Sequence, residues 1–147
     1  MKIDNTNIDI IRELKQGKKS FKRIADKLSI TENTVRSRVN RLQDEGVLEI
    51  CGLVDPATLP GHKVVIIGIN LSEMNLVEKG EEISKLKGVI SVNVVTGRYD
   101  LMINVLFKKG FGLLEFYTEE ISTIQGIRSV ETFVVYKSYN LKVPYIF

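Results

Sequence analysis

The stretch Ser20–Gly46, SFKRIADKLSITENTVRSRVNRLQDEG, holds two short helical patterns separated by a tight turn. Phe21, Ile24, Ala25 and Leu28 recur at helical spacing and form the apolar stripe of the first. Ser29 and Ile30 make the turn, and Thr31 is a good N-cap for the helix that follows. Val35, Val39 and Leu42 form the apolar seam of that second helix, and Gly46 stops it. Ala25, Ile30 and Val35 fall where two steeply crossing helices need one small residue and two apolar plugs. The pattern therefore predicts a helix–turn–helix.

Residues opposite the seam say what such a pair would meet. At about 100° per residue, Asn33, Ser37, Asn40 and Asp44 lie on the outward side, flanked by Arg36 and Arg41. Asn and Arg are the side chains that pair bidentately with adenine and guanine edges, so duplex DNA is the expected partner. The candidate DNA contacts are Asn33, Thr34, Arg36, Ser37, Arg38, Asn40 and Arg41, with Lys22 from the preceding helix. Asn33 and Arg36 are expected nearest the base edges. Arg38 sits on the shoulder of the seam, where a phosphate or an internal partner suits it better. The plainer alternative is an ordinary helix pair with a solvated charged face; cap, small residue and plugs coinciding favours the DNA reading.

Charge is distributed to match. From Arg12 to Arg41 there are ten Lys and Arg against three acids, whereas from Leu53 onward ten basic residues balance ten acidic ones. The formal net charge of +3 thus conceals a basic N-terminal third, as a phosphate-binding head requires. A polybasic membrane patch is the rival, but no aromatic-rich amphipathic helix lies there.

The 147 residues, 44% of them apolar, allow one domain or two small ones. No apolar signal segment or spanning run is present, so a secreted or membrane-spanning protein is not expected. A lone cysteine, Cys51, excludes an internal disulfide and fits a reducing cytoplasm. One histidine, His62, beside one cysteine leaves no zinc cluster. No phosphate loop or nucleophile elbow occurs, so neither catalysis nor a cofactor is expected.

Further out, Ile8, Ile11 and Leu14 predict a helix ahead of the pair, ending near Gly17. The expected organisation is a helix–turn–helix head over 1–46 and a strand and hinge over 47–61, with Val47–Val54 as the strand. A second domain then covers 62–147. In it, Gly88-Val89-Ile90-Ser91-Val92 recurs as Gly126-Ile127-Arg128-Ser129-Val130, each opening a strand. The predicted order is strand 63–71, helix 75–87, strand 89–96, strand 100–107, helix 111–123, strand 127–137, the βαββαβ or ferredoxin-like plan. The overall class is α+β. Leu76/Ile83/Leu86 and Leu114/Tyr117/Ile121/Ile124 are the expected helix stripes. Strands at 63–71 and 100–107 are largely apolar on both faces, so the sheet face without helices reads as a homodimer interface. A dimer would present two DNA-reading helices to two half-sites.

The chain resembles the Lrp/AsnC, or feast/famine, family of transcription regulators over nearly its whole length. The resemblance rests on Ile8-Asp9-Ile10-Ile11, on Ile24 to Thr31, on Val35 to Leu42, on Glu45-Gly46-Val47, on Val54-Asp55-Pro56 and on Thr96-Gly97-Arg98-Tyr99-Asp100. It implies a winged-type helix–turn–helix head and an effector-binding, oligomerisation domain sensing amino acids or related metabolites. It further implies dimers that assemble further, commonly into octamers. The effector would lie between dimers at the loop Thr96, Gly97, Arg98, Tyr99 and Asp100. There Gly97 lets the backbone approach a ligand, Asp100 could accept from an α-amino group and Arg98 could meet a carboxylate. The same loop also reads as a tight turn capped by Asp100. The family usually has Gly where Ser29 stands, at a modest conformational cost. Two other readings remain at this level: an architectural DNA-binding protein without effector, and a sirohaem decarboxylase-like enzyme on the same fold. The latter would need imidazole or basic groups in the sheet-side cleft, and His62 precedes the first strand.

Overall fold

A computed structural model describes residues 3–15, 17 and 20–147; Lys18 and Lys19 of the basic run lie outside the described residues. The chain divides into two compact units, Met1–Cys51 and Gly52–Phe147.

The first unit is three helices: α1 (Asn5–Leu14), α2 (Phe21–Leu28) and α3 (Glu32–Asp44). Asp4 caps α1, its carboxylate accepting from the Asn7 N–H at 2.8 Å. The buried side of α1 is Asn7, Ile10 and Leu14, displaced from the expected Ile8/Ile11/Leu14 stripe, and Ile8 is exposed. Asn7 is tolerated inside because its side-chain oxygen accepts from Arg38 at 2.8 Å, so a polar residue fills a core position. Ser29 ends α2 in the left-handed conformation, φ 55°, with its N–H on the Ala25 carbonyl. Thr31 caps α3 by accepting from the Thr34 N–H at 3.1 Å. Ile10, Ile24, Ala25, Val35 and Val39 close the core, with Phe21, Leu28, Ile30 and Leu48 packed around it. After Gly46 the expected strand over Val47–Val54 shrinks to β1 (Leu53–Val54). Both β1 and its partner β6 (Val143–Pro144) belong to the second unit.

That unit contains β2 (Lys63–Leu71), α4 (Leu76–Ser84), β3 (Val89–Val94), β4 (Leu101–Phe107), a helical segment, and β5 (Ile127–Val134). The sheet order β3-β4-β2-β5, antiparallel throughout, is the ferredoxin-like arrangement with β2 and β4 central. Both repeated glycines turn the chain into a strand at positive φ, 84° at Gly88 and 80° at Gly126. At Gly88 an added Cβ would meet the Leu106 carbonyl and the Phe111 ring at 2.8 Å.

One sheet face carries Val65, Ile67, Ile69, Leu71, Leu101, Ile103, Val105 and Phe107, covered by Ile83, Phe116, Ile121 and Ile124. The second helical segment is one α turn, α5 (Leu113–Glu115), a π turn (Phe116–Glu120) and a 3-10 turn (Ile121–Thr123). The wide π turn shifts the helix phase, so Phe116 is fully buried while Leu114, expected in the stripe, is 72% exposed. On the opposite face, Val64 and Leu106 pack under Val143, Val54 and Leu141 of this same unit. What stays open is mixed: Asn104, Ile66 and Phe133 in one row, Met102 and Glu131 on either side of a buried Gly68 in the next. The open face is therefore smaller and more polar than strand alternation alone implied.

Candidate nucleic-acid interface and effector loop

On α3, burial of Val35, Val39 and Leu42 leaves Asn33, Arg36, Ser37, Asn40 and Arg41 exposed, and Lys22 is exposed on α2. Arg36 pairs with Glu32 one turn earlier at 2.7 Å and lies over the Phe21 ring, 5.2 Å from its centroid. Arg41 pairs with Glu45 at 2.9 Å. Such exposed i,i+4 pairs contribute little, so a phosphate can displace either carboxylate. Thr34 and Arg38 are differently placed. The Thr34 hydroxyl bonds the Thr31 hydroxyl at 2.8 Å within the cap. Arg38 reaches back to α1, its Nη1 2.7 and 2.9 Å from the carboxylate oxygens of Asp4. Arg38 foremost, then the Asn7 N–H, holds the Asp4 carboxyl below the usual carboxylate range.

In the second unit the loop 96–100 joins β3 to β4. It closes where the Val95 N–H meets the Asp100 carbonyl at 3.0 Å, and Gly97 turns it at φ 127°. Asp100 is a turn residue in part: one carboxylate oxygen accepts from the Leu71 N–H at 2.8 Å, beside a bulge in β2. Tyr99 folds back onto the open sheet face. Its ring covers Gly68, where an added Cβ would lie 2.7–2.8 Å from ring atoms. The ring meets Phe133 edge-on at 5.7 Å, and its hydroxyl donates to Glu131. Burial first, then this hydrogen bond, raises the Tyr99 hydroxyl above the usual phenol range. Arg98 pairs with the same carboxylate at 3.0 Å. Thr96 is exposed at the loop edge. The loop thus offers a guanidinium able to exchange Glu131 for a ligand carboxylate, and carboxylates able to take an ammonium.

Gly68, Glu131 and Phe133 went unread in the sequence. A glycine inside the apolar run KVVIIGINL is a signal of close approach. Glu131 carries none, because its place depends on the pairing of β5 with β2. Among the described residues, no group of His, Cys, Asp and Glu is placed to hold a metal, and no helix is long and apolar enough to cross a membrane.

Residues 3–49 match the family described as winged helix-turn-helix DNA-binding, and residues 64–143 match the Lrp/AsnC ligand binding domain. An uncharacterized HTH-type transcriptional regulator of Pyrococcus abyssi is 32% identical, over 92% of this chain and 87% of its own. Among solved structures, E. coli AsnC superposes with TM-score 0.69 at 23% identity, covering 96% of this chain and 97% of that one. A transcriptional regulator from Neisseria meningitidis, solved as its L-Met complex, gives TM-score 0.70 at 17% identity, covering 95% and 94%. Both structural likenesses concern the fold. With a DNA-binding head followed by a ligand-binding domain, in the order and over the residues just described, the chain belongs to the Lrp/AsnC family: it is a DNA-binding transcriptional regulator and not an enzyme.

Proposed function

We propose that this regulator reads a specific operator with the outward side of α3 and responds to an amino acid or related small metabolite held at residues 96–100 between dimers. The observation that carries the reading is the solvent-facing row Asn33, Ser37, Asn40 and Arg41 on a capped helix. Arg36 and Lys22 flank it as phosphate or base contacts. Thr34 and Arg38 belong to the same surface, but their polar groups are engaged within the head. Support for the effector class comes from the Arg98–Glu131 ion pair and the Asp100 carboxylate, charges of both signs that suit a zwitterion, and from the L-Met complex of the Neisseria protein. The open sheet face, with Ile66, Met102 and Phe133, forms the homodimer interface. Dimers assemble further, as in an octamer, and the effector shifts operator affinity by favouring one arrangement of the heads. Residues 1–46 read, 62–147 sense and assemble, and 47–61 is the hinge. The protein works in the cytoplasm.

Selecting bound fragments from the source genome gives the operator. On it, Asn33→Ala should relax base preference by about 1–3 kcal/mol at the affected positions, and Arg41→Ala should weaken every duplex and flatten the salt slope by about one. Unchanged binding in both variants would remove α3 from the interface. A thermal-shift screen against the amino acids tests the second half: a ligand at about 100 times its Kd adds about 2.7 kcal/mol. Silence across the set counts against amino-acid sensing.

A further inference from the structure

Three cations of α3 are paired, but not alike. Arg36 and Arg41 each meet an acid one turn along their own helix, both cations well exposed. Arg38 instead meets Asp4, thirty-four residues away at the start of α1. Its Nη1 lies 2.7 and 2.9 Å from the two Asp4 oxygens and 2.8 Å from Asn7 Oδ1. Its side chain is 32% exposed, about half the value for Arg41. Asp4 at the same time caps α1, and Asn7 is buried. Pulling Arg38 out to a phosphate therefore strips a helix cap of its counterion and leaves a buried amide oxygen without its donor. The carboxylate also stands in the wrong place for DNA. Asp4, Asn7 and Arg38 line an open groove of about 500 Å³ together with Asn33, Thr34, Ser37 and Arg41, so a negative charge borders the outward row.

We propose that Asp4 withholds Arg38 from the DNA backbone: Arg38 is a positioning residue that fixes α1 against α3, and Asp4 sets how tightly the head grips any duplex. Sequence-independent affinity grows with the number of phosphates neutralised. Holding back one cation in each protomer lowers affinity for every duplex alike and leaves base discrimination to Asn33, Ser37 and Asn40. The inference rests on α3 being the recognition helix.

The test uses the full chain and a duplex of mixed sequence, titrated over a range of salt concentrations. Asp4→Asn keeps the cap, since Asn caps a helix as well as Asp, and removes the charge that holds Arg38. It should tighten binding at low salt and steepen the slope of log K against log salt by about one per bound protomer. Arg38→Gln, which retains hydrogen-bond donors for Asp4 and Asn7, should leave the wild-type slope unchanged. The double variant should return to that slope. A flatter slope in Arg38→Gln, or an unchanged slope in Asp4→Asn, overturns the proposal. Arg41→Ala is the control for the underlying reading: if it fails to flatten the slope, the helix assignment fails, whatever Asp4→Asn does. A merely structural tie between α1 and α3 would alter melting temperature and leave the salt slope in place.

Discussion

Gly68 makes room for Tyr99. With ring atoms 2.7–2.8 Å from the site of a Cβ, even alanine must evict the ring, and with it the hydroxyl's bond to Glu131 and the edge contact with Phe133. Gly68→Ala should lower unfolding free energy by about 1–3 kcal/mol in a denaturant titration, the usual range for forced overpacking. A loss near zero would mean that Tyr99 does not rest there. A glycine where an apolar strand needs none could be noticed in the sequence; what it accommodates could not. Tyr99 arrives from another strand connection, and Glu131 through long-range pairing with Gly68. Asn7 teaches the converse. Helical spacing placed apolar neighbours inside, and a polar residue took the core position because Arg38, thirty-one residues on, supplied its donor.

At the scale of elements, the turn between α2 and α3 was fully legible, because each signal is local. Ser29 occupies the left-handed conformation that the glycine usual in the family would adopt freely, and Thr31 caps through its own side chain. The segment after β4 was less so. A period of 3.6 residues assigned Leu114 to the core, but the π turn over Phe116–Glu120 inserts extra arc and turns Phe116 inward. The two positions should separate cleanly in equilibrium unfolding. Phe116→Ala should cost about 3–5 kcal/mol, whereas Leu114→Ala should stay within about 0.5 kcal/mol. Comparable losses at both would argue for an unbroken α-helix.

For the molecule as a whole, the βαββαβ order could be followed from the glycine-marked repeat, since the same corner, helix then strand, is built twice at Gly88 and Gly126. The extent of the open sheet face could not, because Leu141 and Val143 fold back over Val64 and Leu106. If the remaining face joins two copies, Ile66→Lys should lower the mass seen in sedimentation equilibrium and weaken operator binding, while the sheet unit keeps its helix-side core. A dimer that survives the substitution would place the interface elsewhere. One connection has a mechanical side. Strands β1 and β6 meet through two residue pairs, Leu53 with Pro144 and Val54 with Val143, and Lys142 bridges to Asp55 alongside at 3.1 Å. Tension drawn through residue 52 from a head anchored on DNA reaches this short clasp before it reaches the four-stranded sheet. With only two residue pairs, the clasp is expected to open before the four-stranded sheet does, lengthening the tether.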